Sequence, residues 1–144
     1  MPDYPRILNA GDSALVVEFG NSVDAATNQS VYDFNKALES EGLAGVQEII
    51  PTYRSALVNF DPLVITHVEI EKAIERAIAR ANALGTDERQ SLTFILPVLY
   101  GGDDGADLAR VAEHNNITPD DVIRIHTSGV YRVFMLGFLP GFPY

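Results

Sequence analysis

Two side chains near the C-terminal end of the chain are the best candidates for chemistry. His126 lies directly before Thr127-Ser128-Gly129, where a helical segment ends, and an imidazole can exchange a proton near neutral pH. Arg132 lies within the apolar run 130–136, where a charge needs solvent, a carboxylate or an anionic ligand. We predict both as catalytic residues. A helix-end hydrogen bond for His126 and a structural salt bridge for Arg132 are the alternatives.

The segment that follows, Gly137-Phe138-Leu139-Pro140-Gly141-Phe142-Pro143-Tyr144, combines sharp turns with aromatic side chains. Glycine lets the backbone turn or approach a ligand, proline stiffens a loop, and aromatic rings form apolar walls. A plain turn rarely contains so many of these residues, so we predict a binding pocket or an interface. The residues assigned to it are Tyr131, Met135, Phe138, Pro140, Gly141, Phe142 and Tyr144.

The Gly-rich loop and the other histidines give weaker evidence for a nucleotide or metal site. The loop Gly101-Gly102-Asp103-Asp104-Gly105 lacks the lysine and hydroxyl of a nucleotide-binding P-loop and the ligand spacing of a calcium hand, so solvated turn residues are the favoured interpretation. The three histidines form no His-x-His or His-x-x-x-His pair, and the chain has no cysteine. We predict no metal site.

The elements that must position these residues begin with a β-β-α-β-β-α pattern. Thr66 and Glu69 form a capping box before the second helix, and Gly85 is predicted as its C-cap. We predict an open sheet with both helices packed on one face, because this arrangement buries the apolar faces of the sheet and of both helices. The predicted strands are 6–10, 13–19, 46–50 and 55–60, and the predicted helices are 22–41 and 66–84.

The second half of the chain is predicted to start after a linker at residues 86–90. A strand at 92–99 contains Pro97, a short helix covers 106–114, and Thr118-Pro119 starts another. The apolar run 130–136 is expected to be a strand buried on both faces, which needs partner strands. We therefore expect that this segment docks on another protein or belongs to a longer one. The predicted domains are 1–85 and 91–144.

Composition narrows the classes of function. The chain has 144 residues, a hydrophobic fraction of 47% and a formal net charge of −10, which favours a packed domain and disfavours binding to nucleic acid. Disulfides are excluded, and neither a signal-peptide pattern nor a stretch long enough to span a membrane is present. These observations lead us to expect a cytoplasmic protein.

Motifs along nearly the whole chain resemble those of a known family. The segment from His126 to Tyr144 closely resembles the signature of the allophanate hydrolase subunit 1 family, which includes the kinase inhibitor KipI and the B subunit of prokaryotic 5-oxoprolinase. The resemblance implies a small α/β domain followed by a cyclophilin-like β-barrel, of which residues 91–144 would be the first part. Other matching stretches are Gly11-Asp12-Ser13-Ala14-Leu15, Pro51-Thr52-Tyr53-Arg54-Ser55, Pro97-Val98-Leu99-Tyr100-Gly101-Gly102 and Asp107-Leu108.

The resemblance also implies a function. It suggests a non-autonomous subunit that, with a homologous subunit 2 (KipA-like) and a lactam-hydrolase-like third subunit, hydrolyses 5-oxoproline to glutamate at the expense of ATP. ATP is implied for the complex, and no cofactor is expected to bind this chain directly. The anionic substrate is expected near His126, Arg132 and residues 137–143, which we call the Gly-Phe loop. The alternatives are a KipI-like inhibitor of a histidine autokinase and a carboxyltransferase component of a urea amidolyase-type system.

Overall fold

A computed structural model describes residues 3–84 and 92–144 of the chain. The chain divides into two compact units, one formed by Met1–Glu88 together with Val133–Tyr144, and the other by Arg89–Arg132. The first unit combines a four-stranded sheet with two helices, which confirms the mixed α/β fold class. The predicted C-cap Gly85 and the predicted linker 86–90 lie outside the described residues. The domain boundaries 1–85 and 91–144 stay a prediction.

The sheet of the first unit is antiparallel throughout, with the strand order β1-β2-β4-β3. All four predicted strands are confirmed to within about a residue at each end, because alternating apolar residues and Gly, Asp and Pro turns mark strands clearly. Their bounds are Arg6–Asn9 for β1, Ala14–Glu18 for β2, Val46–Pro51 for β3 and Ser55–Phe60 for β4.

Two helices, α1 at Ala25–Glu39 and α2 at His67–Leu84, belong to the same unit. Helix α1 begins later than predicted because Asp24 is its N-cap, and Oδ1 of Asp24 accepts a hydrogen bond of 2.8 Å from the Thr27 amide. Hydrogen bonds from the hydroxyl of Ser22 and the amide of Thr27 lower the pKa of Asp24 to about 2. The capping box of α2 is confirmed, since the Thr66 amide donates to Glu69 at 2.9 Å.

The core lies between one face of the sheet and the two helices. Leu15 pairs with Val58 in the sheet register, so both side chains point to the same face. Phe34 on α1 and Ile74 on α2 are 0% exposed and pack into the same cluster. Complete burial of one such side chain stabilises the fold by about 1.5–3 kcal/mol. Apolar spacing in the sequence therefore specified this packing.

The second unit contains two helices, α3 at Leu108–Asn115 and α4 at Pro119–Ser128. Between them Asn116 adopts the left-handed conformation that often ends a helix. Thr118 caps α4 and exchanges hydrogen bonds with Asp121, which completes a capping box. Hydrogen bonds from Arg124 and Thr118 lower the pKa of Asp121 to about 2. Both predicted helices are confirmed.

The two predicted C-terminal strands are wrong. Residues 92–99 form no ladder, and Leu92, Ile95 and Leu96 are 80%, 94% and 76% exposed. The run 130–136 is not a strand buried on both faces, since Val130 is 94% exposed and Leu136 makes only an isolated bridge. A strand is held by hydrogen bonds to a neighbour. Within the described residues, neither segment pairs with a strand of the four-stranded sheet, so their apolar composition alone did not make them strands.

Candidate functional site

The Gly-Phe loop is the turn of a short hairpin formed by residues 134–144. The Phe134 amide donates to the Tyr144 carbonyl at 2.6 Å, and the Tyr144 amide donates to the Met135 carbonyl at 2.9 Å. Closer to the tip, the Gly137 amide donates to the Phe142 carbonyl at 3.1 Å. The hairpin belongs to the first unit. We call residues 134–144 the aromatic hairpin.

The tip of the aromatic hairpin holds an unusual backbone conformation. Phe138 has φ +58° and Gly141 has φ +78°. Glycine adopts this region freely, whereas an L-residue with a bulky side chain loses about 1–2 kcal/mol there. Strain of this kind is concentrated at ligand and partner contacts in folded proteins. Phe138 therefore holds a backbone conformation that few residues other than glycine adopt.

The aromatic side chains of the hairpin form a row that continues to the turn between β3 and β4. The ring of Phe138 lies 6.3 Å from that of Phe142, and Phe142 lies 5.2 Å from Tyr144. Tyr53, in the turn between β3 and β4, lies 6.2 Å from Tyr144 and 6.1 Å from Phe134. Tilted and edge-on pairs at these separations are favourable. The row therefore supports the hairpin along its length.

The end of this row is open to solvent. Phe138 is 86% exposed, Leu139 is 56% exposed and Phe142 is 44% exposed. Pro140 and Gly141 are exposed beside them. Contiguous apolar surface of this kind is typical of contacts with another protein or with the apolar part of a ligand. The tip residues 137–142 contain no titratable side chain, so they offer apolar contacts and no proton-transfer group.

Two polar side chains of α1 hold the base of the hairpin. The Asn28 side-chain amide donates to the Phe134 carbonyl at 3.3 Å, and the Tyr32 hydroxyl donates to the same oxygen at 2.9 Å. Neither residue was predicted from the sequence. The signal that could have found Asn28 was its spacing with Val31 and Leu38 on the apolar face of α1, because a buried amide needs partners.

In the second unit, His126 lies between two tyrosines. Its Nδ1 shares a hydrogen bond with the hydroxyl of Tyr100, and the Tyr131 hydroxyl donates to the His126 carbonyl at 3.0 Å. The rings of Tyr100 and Tyr131 lie 5.7 Å and 5.5 Å from the imidazole. Tyr100 was not predicted, although it precedes the Gly-rich loop. The two tyrosines therefore contact an exposed imidazole and restrict its orientation.

Arg132 also belongs to the second unit, and its side chain is exposed. The expectation that it lies in a buried strand is wrong, so the cost of a buried charge does not support its role. An exposed guanidinium can still bind a carboxylate in a bidentate manner. The catalytic roles of His126 and Arg132 stay predictions. The structure groups these two residues with Tyr131, and groups Met135 and the other predicted residues with the aromatic hairpin.

The remaining motif of interest is a turn. The Gly105 amide donates to the Gly101 carbonyl at 3.1 Å, and Asp103 and Asp104 are exposed.

Within residues 3–84 and 92–144, no group of three or more His, Cys, Asp or Glu side chains could hold a metal ion. No helix in the same part of the chain has both the length and the apolar character needed to cross a bilayer.

Comparison with known proteins gives matches over nearly the whole chain. The model of the family described as carboxyltransferase domain, subdomain C and D, matches residues 5–144. The chain is 33% identical to the 5-oxoprolinase B subunit of Bacillus subtilis (strain 168) over 150 residues, which cover 96% of the chain. It is 33% identical to the 5-oxoprolinase B subunit of Escherichia coli O157:H7 over 137 residues, which cover 93% of the chain. It spans 61% and 59% of the length of these two relatives.

Two solved structures are similar to the chain. A conserved uncharacterized protein from Pyrococcus horikoshii is 40% identical and superposes with a TM-score of 0.53 over 94% of this chain and 61% of its own. The urea carboxylase of Kluyveromyces lactis is 18% identical, with a TM-score of 0.63 over 95% of this chain and 14% of its own, and therefore shows the fold alone. The family match and the B-subunit relatives confirm the resemblance that the C-terminal motif indicated.

Proposed function

Because the chain belongs to the family of carboxyltransferase domains, subdomains C and D, we propose that it is a subunit of an ATP-dependent 5-oxoprolinase complex. Relatives that match nearly the whole chain are named as the B subunit of 5-oxoprolinase, and a subunit works with companions. In the proposed reaction the complex hydrolyses the lactam amide bond of 5-oxoproline to give glutamate. ATP hydrolysis supplies the driving force. We assign ATP to the companion subunits, because the Gly-rich loop of this chain lacks the lysine of a P-loop.

The exposed tip of the aromatic hairpin is the observation that carries the proposal. Phe138 is 86% exposed in an unusual backbone conformation, and a partner that covers the ring removes its apolar surface from water. Apolar anchors of this type dominate the binding energy of protein interfaces. The hairpin tip is therefore proposed to contact a companion subunit. His126 and Arg132 are proposed to act on the anionic substrate, as proton-transfer group and carboxylate ligand respectively.

The test is reconstitution with the companion subunits of a 5-oxoprolinase. Glutamate release from 5-oxoproline is measured with and without ATP, and complex formation is followed by light scattering. We expect ATP-dependent glutamate formation that requires this subunit. An assembled complex that forms no glutamate would refute the proposal and would favour the protein-binding role of a kinase inhibitor.

Arg132→Met tests the substrate role within the same assay. The substitution keeps the aliphatic stem and removes the charge. Loss of one charge-assisted hydrogen bond to a carboxylate corresponds to a decrease in kcat/KM of about tenfold or more. Arg110→Met is the matched control, because Arg110 is an exposed arginine on α3 of the same unit. Equal activities of the two variants would contradict a substrate role for Arg132.

A further inference from the structure

A single backbone oxygen joins the aromatic hairpin to helix α1. The Phe134 carbonyl accepts hydrogen bonds from the Asn28 amide at 3.3 Å and from the Tyr32 hydroxyl at 2.9 Å. The two donors lie four positions apart on α1, so they share a helix face. Asn28 is only 2% exposed. Two side chains of one helix therefore converge on the base of the hairpin.

The same amide group also binds a third segment of the chain. Nδ2 of Asn28 lies 3.2 Å from the carbonyl of Thr52 and 3.3 Å from that of Tyr53, in the turn between β3 and β4. Tyr53 in turn places its ring against Phe134 and Tyr144. Helix, turn and hairpin thus meet around one buried amide. Such a shared polar contact restricts the hairpin to one position.

We infer that Asn28 and Tyr32 are positioning residues that set where the aromatic hairpin presents its tip. The inference rests on the proposed function of the hairpin and deepens it. Neither side chain reaches the tip itself, since both bind at Phe134 and the tip lies at Phe138 and Leu139. They act through the hairpin backbone, and the aromatic row transmits the position from Tyr53 outward.

Tyr32→Phe is the direct test, because it removes one hydroxyl and leaves the ring in place. Hydrogen-exchange rates of the Gly137 and Tyr144 amides, measured by NMR on the chain, report how often the hairpin opens. Loss of one hydrogen bond predicts an increase of about fivefold in these rates. The Val58 amide in the central strand β4 should exchange as in the parent protein. Ser30→Ala is the matched control, since among the described residues the Ser30 hydroxyl bonds within its own helix, to the Ala26 carbonyl at 3.2 Å.

A second readout is the affinity for the companion subunits. A hairpin that opens more often presents the tip less often, so the dissociation constant should rise with Tyr32→Phe and remain unchanged with Ser30→Ala. A residue that only supported the fold would lower the midpoint of thermal unfolding without this selective change in affinity. Asn28→Ala should show both effects, because its amide also binds the β3–β4 turn.

The outcomes separate the inference from the proposed function. Unchanged exchange at Gly137 and Tyr144 in Tyr32→Phe would overturn the inference, and so would faster exchange with unchanged affinity for the companions. A parent complex that assembles but forms no glutamate would refute the proposed function alone. The exchange and affinity measurements would still decide the role of Asn28 and Tyr32.

Discussion

Replacement of Gly45 by alanine should destabilise the first unit far more than the same change at Gly42. Both glycines lie in the loop between α1 and β3, with φ +95° at Gly45 and +58° at Gly42. A Cβ atom at Gly45 would lie 2.7 Å from Cγ2 and 3.0 Å from Cβ of Ile65, whereas a Cβ at Gly42 would meet no atom within 4 Å. Both substitutions strain the backbone, but only Gly45→Ala also creates a steric overlap, so a comparison of the two variants isolates the effect of the overlap.

The magnitude follows from these contacts. Left-handed backbone costs an L-residue about 1–2 kcal/mol, and this term applies to both variants. Overpacking of a closed core adds about 1–3 kcal/mol, and only Gly45→Ala incurs it. Ile65 cannot move away easily, because it is 8% exposed and its amide donates to the Asp61 carbonyl at 3.0 Å. The Asp61 amide in turn donates to the Gly45 carbonyl at 2.8 Å.

Urea unfolding followed by far-UV circular dichroism measures the difference. We expect Gly45→Ala to lower the free energy of unfolding by about 1–3 kcal/mol more than Gly42→Ala. Reduced entropy of the unfolded chain contributes equally to the two variants and cancels. Equal free energies of unfolding for Gly42→Ala and Gly45→Ala would refute the assignment of Ile65 as a fixed wall of the core.

Three further predictions concern the hairpin, the caps and the core. Phe138→Asn removes the aromatic ring but keeps a residue that tolerates left-handed backbone. Binding to companion subunits, measured by isothermal titration, should therefore weaken by about 10-fold to 100-fold. Leu63→Asn, at another exposed position, should leave this affinity unchanged. The pKa values of Asp24 and Asp121 are lowered to about 2, so their caps stabilise the helices above about pH 4, and this contribution is lost as the pH falls from about 4 to 2. Helicity measured by circular dichroism should therefore fall between about pH 4 and pH 2. The fall should be smaller in Asp24→Asn, because an asparagine cap does not titrate. Phe34→Ala should lower the free energy of unfolding by about 3–5 kcal/mol in urea, because the ring is fully buried, and a loss below about 1 kcal/mol would contradict its place in the core.

Local signals in the sequence determined the first unit and the helices of the second. Strand alternation, helical spacing and the capping residues Thr66 and Thr118 each act over three or four positions, so they can be recognised before any tertiary contact is known. The sequence also identified the Gly-Phe loop and His126 as unusual. The sequence did not reveal that Tyr100 is hydrogen-bonded to His126, because the two residues are 26 positions apart.

Tertiary contacts determined the conformation of the apolar segments 92–99 and 130–136. They also determined how the aromatic hairpin is attached to α1. The same apolar residues suit a buried strand or an exposed extended segment, and only a neighbouring strand selects the first. Asn28 and Tyr32 reach Phe134 across 106 and 102 positions. No local pattern encodes such a contact, because it exists only after the sheet and α1 have packed and left a buried amide beside the hairpin.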